Sequence, residues 1–468
     1  MKLSAPTVGP IIGYTAPDQT RIWFRGQFEG TGESSYRRCF GVLRYRKRGL
    51  RKWSAPLFNK MSPNFDMSCV VALTGLFPET DYEYQAGWVT LDAELDRLAG
   101  MHAALIEWPE ECGSFRTAAA DASRSRSYVA GSCRYLLRTF FGDIFDDRGD
   151  KIFKSIYEQS RERRIDGVLM VGDQIYADDL NFLSPDSSLP EFLKRYRTVF
   201  SQPHIRRLMA CTPSYMILDD HEIEDNWPAK ATEKDKVQLY PQAIHAYQIY
   251  QCSHSPLFQA DANGRLDGIL QKFWYSFSDG CVDTFVLDTR TERIPSGERK
   301  RMLKDEQMNA LLNWLGDGSG RVKLVVSSVP LAPDFSVEGD DKWGAFAEQR
   351  DRILACLASL NGVKVVFLSG DVHCSYVADI RLKGRSKPLA YQVVSSSFFW
   401  PYPHMEEDEL LDDRPLISKS GKQYTVTLRS EVQSLDNFAR LDLSTAGMRV
   451  SFHARKGDLL DTPVDIVF

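Results

Sequence analysis

The stretch "DGVLMVGDQIY", residues 166–176, runs from an apolar core into a glycine and an aspartate. Four similar apolar segments follow it along the chain: "SYMILDD" (214–220), "DTFVLD" (283–288), "RVKLVVSSVP" (321–330) and "VKVVFLSGD" (363–371). Helical stretches separate these segments, and strands that alternate with helices are typical of helices packed against a central, largely parallel sheet. The pattern therefore predicts an α/β fold for the chain after residue 128.

The N-terminal quarter has a different pattern. Short alternating runs such as "TRIWFRG" (20–26) and "DYEYQAGW" (81–88) are separated by turn signals, which is typical of an antiparallel β-sandwich. The small and polar stretch "RTAAADASRSRS" (116–127) is typical of a linker. We therefore predict a small β-sandwich domain over residues 1–120 and an α/β domain over residues 128–468.

Composition and charge limit the class of protein. The chain has 468 residues, of which 43% are hydrophobic and 26% charged, and its net charge is −5. These values indicate a folded chain with large cores, and they argue against sequence-specific binding to nucleic acid. Nine cysteines without a CxxC pair indicate reduced thiols rather than a disulfide framework. No membrane-spanning run or export signal is readable, so we expect a cytoplasmic protein, or an exported one whose signal was removed.

Aspartates stand at the ends of four of the predicted strands: Asp173, Asp219 with Asp220, Asp288 and Asp371. A single aspartate in such a place is commonly a helix cap or a turn residue. Strand ends in an open α/β sheet converge on one crevice, however, and carboxylates gathered there repel each other unless cations neutralise them. The four positions together predict a bound metal.

The other side chains at these strand ends narrow the choice of metal. Cys133 follows the apolar run "SYVA", Tyr176 lies one helical turn after Asp173, and His373 follows Asp371. A tyrosine phenolate suits ferric iron better than zinc, and a thiolate can join it. Taken singly, Cys133 also fits a small buried apolar residue and His373 a core histidine with one hydrogen bond.

Three motifs occur in the order found in the metallophosphoesterase superfamily, which has GDxxY, then GNH[DE], then GHxH. The corresponding segments are "GDQIY" (172–176), "DDHE" (219–222) and "GDVH" (370–373). The chain most resembles the alkaline phosphatase D (PhoD) family of that superfamily, because Cys133, Asp220 and Asp371 replace an aspartate, an asparagine and a histidine. The resemblance extends through "LDTRTER" (287–293), "DKWGAFAEQR" (341–350) and "SFRTA" (114–118), and so covers nearly the whole chain.

The resemblance implies an αββα sandwich of the metallophosphoesterase type for the catalytic domain, preceded by the small β-sandwich. It also implies a ferric site formed by Cys133, Asp173, Tyr176 and His373, in which Asp173 bridges to a second cation. The second site would be rich in oxygen ligands, which suits calcium, magnesium or manganese better than zinc. Its ligands would be Asp173, Asp220, Asp371 and Asn226. The family's use of calcium with iron makes Fe³⁺ and Ca²⁺ the expected pair, with Mg²⁺ or Mn²⁺ open at the second site.

The implied reaction is hydrolysis of phosphomonoesters, phosphodiesters or both by a metal-activated hydroxide. We expect His221 to protonate the leaving alkoxide without binding metal, and Asp219 and Glu222 to orient the ligands or His221. Arg134 and Arg290 are predicted to clamp the phosphoryl group, with Lys342 behind them. Arginines near strand ends are also often ordinary ion-pairing residues.

Two other functions remain open at this point. One is a low-turnover protein that binds or senses a phosphate ester on the same metal site, and the other is a carbohydrate- or protein-binding module built on the N-terminal sandwich. The complete ligand set argues against both. The aromatic segment "SSSFFWPYPH" (395–404) fits either a wall stacking the organic part of a substrate or a piece of core. Oligomeric state is left open.

Overall fold

A computed structural model of the protein describes residues 1–27, 38–92, 94–98, 100–135, 138–139, 142–143, 147–181, 185–260, 266–267, 270, 272–336, 339–411, 414–418 and 421–468. The fold is mixed α/β. The predicted strand segments all contain strands, namely Gly167–Met170, Ser214–Met216, Val282–Val286, Val322–Val326 and Lys364–Ser369. The strand pattern alone predicted one central sheet, but these strands are divided between two sheets, which agrees with the αββα arrangement implied by the resemblance.

The first of these sheets has six strands. In spatial order they are Ser214–Met216, Gly167–Met170, Arg126–Gly131, Asn437–Leu443, Gly447–Ala454 and Val464–Val467. The first three run parallel to one another, and the three from the C-terminal end of the chain pair antiparallel. The parallel part supplies the strand ends that carry Cys133, Asp173 and Asp220.

The second sheet has eight strands. Their order is Tyr275–Asp279, Val282–Val286, Val322–Val326, Lys364–Ser369, Ala390–Val394, Tyr376–Leu382, Gln423–Leu428 and Leu416–Ile417. Four neighbouring strands in its middle run parallel, from Val282–Val286 to Ala390–Val394. Asp371 and His373 follow the strand Lys364–Ser369 and so come from this second sheet.

Apolar side chains hold the two sheets and the helices in layers. On the strand Gly167–Met170, alternate side chains point to opposite faces. Leu169 belongs to an apolar cluster shared by both sheets, whereas Val168 and Met170 belong to a cluster shared with helices. The helices of this cluster are Arg148–Glu162, Leu189–Phe200, Pro203–Met209 and Glu233–Tyr247.

The outer face of the second sheet is covered in the same way by the helices Asp305–Leu315 and Ala347–Ser359. Strands covered on both faces read as continuous apolar runs, which explains the sequence pattern. One further α-helix in the described residues is Leu95–Leu98. No described helix is both long and apolar enough to cross a bilayer. Short ribbons join Arg138–Thr139 to Gly142–Asp143, Gln259–Ala260 to Leu266–Asp267, and Asp334–Phe335 to Leu410–Leu411.

The N-terminal part contains two antiparallel sheets. One has the strands Val8–Thr15, Gln19–Arg25 and Ser68–Thr74; the other has Leu57–Met61, Arg38–Lys47, Asp81–Leu91 and Gly113–Arg116. Side chains from both sheets meet in one apolar cluster, which includes Phe24, Leu43 and Tyr84. The division into domains at residues 120 and 128 stays a prediction.

Packing nevertheless continues across that division. Val8, Ile11 and Trp23 belong to the same apolar cluster as the helices of the first large sheet. The guanidinium of Arg206, in the helix Pro203–Met209, donates to the backbone carbonyls of Pro6 and Gly9, both at 2.7 Å. The N-terminal sheets are therefore packed against the larger part by core contacts and hydrogen bonds.

Two glycines allow strand-end loops to approach closely, Gly370 between the two large sheets and Gly172 within the first of them. A Cβ on Gly370 would lie 2.2 Å from the Ser132 hydroxyl, and a Cβ on Gly172, whose φ is +110°, would lie 2.7 Å from the Asp219 Cβ. Only glycine fits such close approaches. The Ser132 hydroxyl in turn accepts the backbone N–H of Asp371 at 3.2 Å. Loops from both sheets are thereby joined at one edge of the molecule.

Candidate metal centre

The predicted metal ligands lie on sharply turned loops. Cys133, Asp173, Asn226, Asp371 and His373 all have left-handed backbone angles, with φ between 52° and 73°. Residues other than glycine seldom adopt this conformation, and such strain concentrates at binding and catalytic sites. Each of the strand-end loops therefore turns at once and directs its side chain to the edge where the two sheets meet.

The four predicted iron ligands are brought together in the structure. The Sγ atom of Cys133 lies 3.3 Å from Oδ2 of Asp173, and the Tyr176 hydroxyl lies 3.4 Å from Nε2 of His373. Cys133 and Tyr176 are fully buried. These contacts pair the sulfur with a carboxylate and the phenol with an imidazole, and Cys133 is also a neighbour of Tyr176.

The environment disfavours the anionic forms of two of these groups. Burial raises the pKa of the Cys133 thiol to about 12, against hydrogen bonds from the hydroxyls of Ser132 and Ser396. Burial, with the nearby Cys133 and Asp173, also raises the pKa of Tyr176 well above its usual range. A thiolate and a phenolate at this place therefore require a strongly charged cation, which lowers the pKa of its own ligands.

A second group of carboxylates lies beside the first. Oxygens of Asp219, Asp220 and Asp371 all lie within 4.8 Å of one another. Oxygens of Asp173 and Asp220 and a nitrogen of His221 form another such group, within the same 4.8 Å limit. The backbone N–H of Asn226 donates to Oδ2 of Asp220 at 2.6 Å. The side-chain amide of Asn226 donates to Asp225 at 2.9 Å, so its nitrogen points away from Asp220.

Four carboxylate oxygens of the centre are buried without a hydrogen-bond partner among the described residues: Oδ1 of Asp173, Oδ2 of Asp219, Oδ1 of Asp220 and Oδ2 of Asp371. The last two form ion pairs with Arg290 and Lys342. Burial, Cys133 and Asp219 raise the pKa of Asp173 well above its usual range. A buried carboxylate oxygen without a partner is costly, and a cation satisfies it. The donor set fits the two predicted metals: sulfur, phenol and imidazole beside Asp173 suit iron, and oxygens beside Asp220 and Asp371 suit a hard divalent cation.

Arg290 organises the carboxylates and does not line the cavity above them. It is fully buried, donates through Nε to Asp219, and places Nη2 at 3.2 Å from Asp220 and 3.4 Å from Asp371. Its Nη1 donates to Asp341 at 2.8 Å. These contacts explain why the pKa of Asp220 is lowered despite burial. The structure thus disagrees with the predicted clamp, because the guanidinium is already bound by acids of the protein itself.

Lys342 is the basic side chain that the structure places in the cavity wall. Its ammonium forms an ion pair with Asp371 and lies 3.5 Å from Asp341. Burial raises the pKa of Asp371 to about 6 even though Lys342 opposes this shift. Lys342 was predicted to stand behind the two arginines, but it lies in front of Arg290.

Arg134 was predicted to clamp substrate, and the structure contradicts this. Its guanidinium points away from the carboxylates and donates to the backbone carbonyls of Gly149 and Val199, each at 3.1 Å. It also donates to Asp150 at 3.3 Å and lies over the ring of Phe153. The side chain is 2% exposed, so it connects the loop after Cys133 to the helix Arg148–Glu162.

Glu222 ties two ligand-bearing loops together. Its carboxylate accepts the backbone N–H groups of Gln174 at 2.7 Å, Asp219 at 2.9 Å and Asp173 at 3.3 Å. The side chain of Gln251 donates to it as well, at 3.2 Å. Glu222 therefore orients the backbone of the ligand loops, and Asp219 pairs with Arg290. Neither is shown hydrogen-bonded to His221.

His221 is oriented by Asp178, a residue that the sequence reasoning missed. Nδ1 of His221 lies 2.9 Å from Oδ2 of Asp178, and the imidazole stacks on the ring of Tyr176 at 4.3 Å. Burial opposes a charge on His221, but Asp178, Asp220 and Asp173 outweigh it and raise the pKa of His221 well above its usual range. The acidic pair that follows "GDQIY" was the available signal for Asp178.

One strand-end aspartate stays outside the centre. Asp288 accepts the backbone N–H groups of Arg290 at 3.1 Å and Thr291 at 2.8 Å, together with the Thr291 hydroxyl. It therefore has the turn-capping role that is common for such residues. Of the four predicted strand ends, three meet at the centre and that of Asp288 does not.

A cavity of 490 Å³ opens over the centre. Its charged part is lined by the carboxylates, His221, His373 and Lys342, and its apolar part by Leu180, Trp400, Tyr402 and Met405. The segment 395–404 thus divides between two roles: Phe398 and Phe399 are buried, whereas Trp400 and Tyr402 line the cavity. Asp225 lines it as well and pairs with Lys230 at 2.7 Å.

Comparison with known proteins gives consistent results. Residues 147–443 match the family of PhoD-like phosphatases. Alkaline phosphatase D of Bacillus subtilis (strain 168) is 26% identical over 286 residues, which are 52% of this chain and 48% of that protein. The alignment thus spans about half the length of this relative.

Solved structures agree with this chain in fold. A structure of PhoD superposes with a TM-score of 0.73 at 18% identity and covers 96% of this chain and 87% of its own. A purple acid phosphatase from yellow lupin (Lupinus luteus) seeds superposes with a TM-score of 0.60 at 12% identity, covering 99% and 74%. The family match extends over more than half of the chain, from the helix Arg148–Glu162 to the strand Asn437–Leu443. The chain belongs to the PhoD-like phosphatase family.

Proposed function

We propose that the chain is a metal-dependent hydrolase of phosphate esters, an alkaline phosphatase or phosphodiesterase of the PhoD-like type. The observation that carries this proposal is the meeting of Cys133, Asp173, Tyr176 and His373 beside Asp220 and Asp371 at the base of one cavity. Family membership supports the same chemistry.

The ligands divide into two sites. Fe³⁺ would be held by Cys133, Asp173, Tyr176 and His373, and Ca²⁺ by Asp173, Asp220, Asp371 and Asn226, with Mg²⁺ or Mn²⁺ as possible substitutes for Ca²⁺. Cations held in this way activate water and offset the charge of the phosphoryl oxygens. The buried Oδ1 of Asp173, which has no hydrogen-bond partner among the described residues, supports its assignment as the shared ligand.

The remaining residues of the cavity act on the substrate or on the ligands. His221, held through Nδ1 by Asp178, presents Nε2 to the ester and donates a proton to the leaving oxygen. The Lys342 ammonium attracts the anionic phosphate. Arg290 and Glu222 touch ligands or their backbone, so they keep the carboxylates in position and do not contact the ester.

The test is an assay of the purified protein with 4-nitrophenyl phosphate and bis(4-nitrophenyl) phosphate, with and without added calcium. We expect release of nitrophenolate from at least one ester, loss of that activity after chelation, and recovery when metal is restored. Calorimetric titration with inorganic phosphate measures binding, and so distinguishes a hydrolase from a protein that binds phosphate esters with little turnover. Phosphate binding without hydrolysis of either ester by the metal-loaded protein would contradict the proposed function.

A further inference from the structure

One wall of the cavity is formed by a short segment rich in aromatic residues and proline. Trp400, Tyr402 and Met405 line the cavity together with Leu180 from the opposite loop. The carboxylates and histidines of the metal centre line the rest of the same space. The cavity therefore joins a charged base to an apolar wall, and we call Trp400 and Tyr402 the aromatic wall.

The aromatic wall is held rigidly next to the metal centre. The Trp400 indole stacks on the imidazole of His373, with ring centroids 3.8 Å apart and an interplanar angle of 24°. Its backbone N–H donates to Asp436 at 2.9 Å and its Nε1 to the carbonyl of Pro403 at 3.2 Å. The Tyr402 ring meets Trp400 edge-on at 5.1 Å, and the flanking Pro401 and Pro403 restrict the backbone.

The wall keeps apolar surface in contact with solvent. Tyr402 remains 36% exposed, whereas Tyr135, which packs behind it at 5.8 Å, is 3% exposed. An aromatic wall binds a ring by burying apolar surface and by stacking. Little side-chain conformational entropy is lost on binding, because the wall is already in place.

Two acidic groups near the wall are already paired within the protein, so they do not require a cationic group on the ligand. Asp436 accepts the Trp400 N–H and lies 3.6 Å from His404. Glu409 accepts the backbone N–H of Glu406 at 2.9 Å. Both carboxylates therefore have partners within the protein.

We propose that the aromatic wall is a specificity subsite for an aryl or heteroaryl group of the ester, bound while the phosphate occupies the metal centre. This inference rests on the proposed function. Because Trp400 contacts the ring of His373, the subsite begins directly beside the metal centre. The preferred esters therefore carry the ring within a few bonds of phosphorus.

Competitive inhibition of the metal-loaded protein by phenylphosphonate and methylphosphonate tests this inference. Both compounds carry the same phosphonate, so the ratio of their inhibition constants isolates the ring. We expect phenylphosphonate to bind about tenfold more tightly, the scale of one well-packed aromatic contact. Tyr402→Ala lowers this ratio severalfold, whereas Tyr402→Phe retains most of it. Phe77→Ala removes an aromatic side chain that is 66% exposed and outside the cavity, so the ratio keeps its native value.

A second variant covers the other ring of the wall. Trp400→Leu also lowers the ratio, and its iron content is measured because Trp400 stacks on His373. Two outcomes would overturn the subsite. One is equal inhibition of the native protein by the two phosphonates, and the other is a native ratio of inhibition constants in both Tyr402→Ala and Trp400→Leu. If esters are hydrolysed in these experiments, the proposed function is unaffected. If no ester is hydrolysed and neither the phosphonates nor inorganic phosphate bind, the proposed function fails, and the subsite fails with it.

Discussion

At the residue scale, His221 is the cavity side chain for which two roles must be separated. Its Nδ1 is held by Asp178, which leaves Nε2 for the ester, yet the ring also lies within reach of the carboxylates of Asp173 and Asp220. The geometry thus allows a proton donor or a metal ligand. A metal-ligating histidine commonly donates its other N–H to a carboxylate as well, so the pairing with Asp178 orients the imidazole in either role.

Replacing His221 distinguishes these two roles. We expect His221→Ala to keep its metals and to lose about a hundred- to ten-thousand-fold in activity, the usual scale for general acid–base catalysis. Alkyl phosphates suffer more than aryl phosphates, because an alkoxide needs protonation and nitrophenolate does not. The measurements are metal content and kcat for both ester classes. Loss of metal, or equal slowing of both classes, would make His221 a ligand or a positioning residue.

Asp371 tests the division of ligands between the two sites. Asp371→Ala removes a proposed oxygen ligand of the second site that is not among the proposed iron ligands, so we expect loss of calcium and most activity while iron is retained. Asp279→Ala is the matched control, because Asp279 also ends a strand of the second sheet but pairs with Arg126, away from the centre. Elemental analysis of both variants gives the answer. If Asp371→Ala loses iron, the ligands have been divided wrongly.

At the scale of elements, the centre depends on how loops from separate strands are joined. Glu222 accepts backbone N–H groups from the loop that carries Asp173 and from the loop that carries Asp219. Its carboxylate is fully buried, so these donors would lose their partner if the side chain were shortened. The two loops are therefore fixed relative to each other by hydrogen bonds of the protein itself.

Glu222→Ala should loosen both loops at once. A buried donor left without a partner costs about 1–3 kcal/mol, so we expect a lower free energy of unfolding and weaker metal retention. Urea denaturation with and without chelator measures both effects. Glu224→Ala is the control, because Glu224 is half-buried nearby and is not shown to accept these N–H groups. Equal effects of the two substitutions would show that Glu222 does not join the loops.

At the scale of the whole molecule, the N-terminal sheets pack against the larger part around His254. A Cβ on Gly13 would lie 2.2 Å from the backbone carbonyl of His254, which accepts the N–H of Tyr14 at 2.7 Å. The His254 imidazole is 1% exposed and donates to the Tyr250 carbonyl through Nε2. Burial lowers the pKa of His254 to about 4.

This histidine makes stability depend on pH. The unfolded state binds a proton near pH 6.5 and the folded state only near pH 4, so stability is lost as pH falls between these values. From pH 7 to pH 5 the loss from this group is about 2 kcal/mol. Between pH 7 and pH 5, we expect the free energy of unfolding of His254→Gln to fall by about 2 kcal/mol less than that of the native chain. His102 is exposed, so His102→Gln should lose as much as the native chain. Urea denaturation at both pH values measures the difference, and an unchanged slope in His254→Gln would contradict it.

The sequence predicted which residues form strands better than how those strands pair. Apolar runs such as "VKVVFLSGD" were visible because the strands are buried on both faces, but sheet membership depends on contacts between distant segments. The candidate ligands, whose binding of metal stays a prediction, were recognisable from motifs. Their partners were not, because Arg134 and Arg290 look alike in sequence and only the fold directs one to Gly149 and the other to Asp219.

Tyr176 and Cys133 are proposed to ligate a ferric ion. Elemental analysis of the purified protein, together with its visible spectrum, tests this site. We predict bound iron and a visible charge-transfer band from the Tyr176 phenolate, which Tyr176→Phe bleaches or shifts. Tyr135→Phe is the control, because Tyr135 packs edge-on against Tyr176 at 5.2 Å and is not a predicted ligand. A colourless, iron-free preparation with full activity would contradict the account.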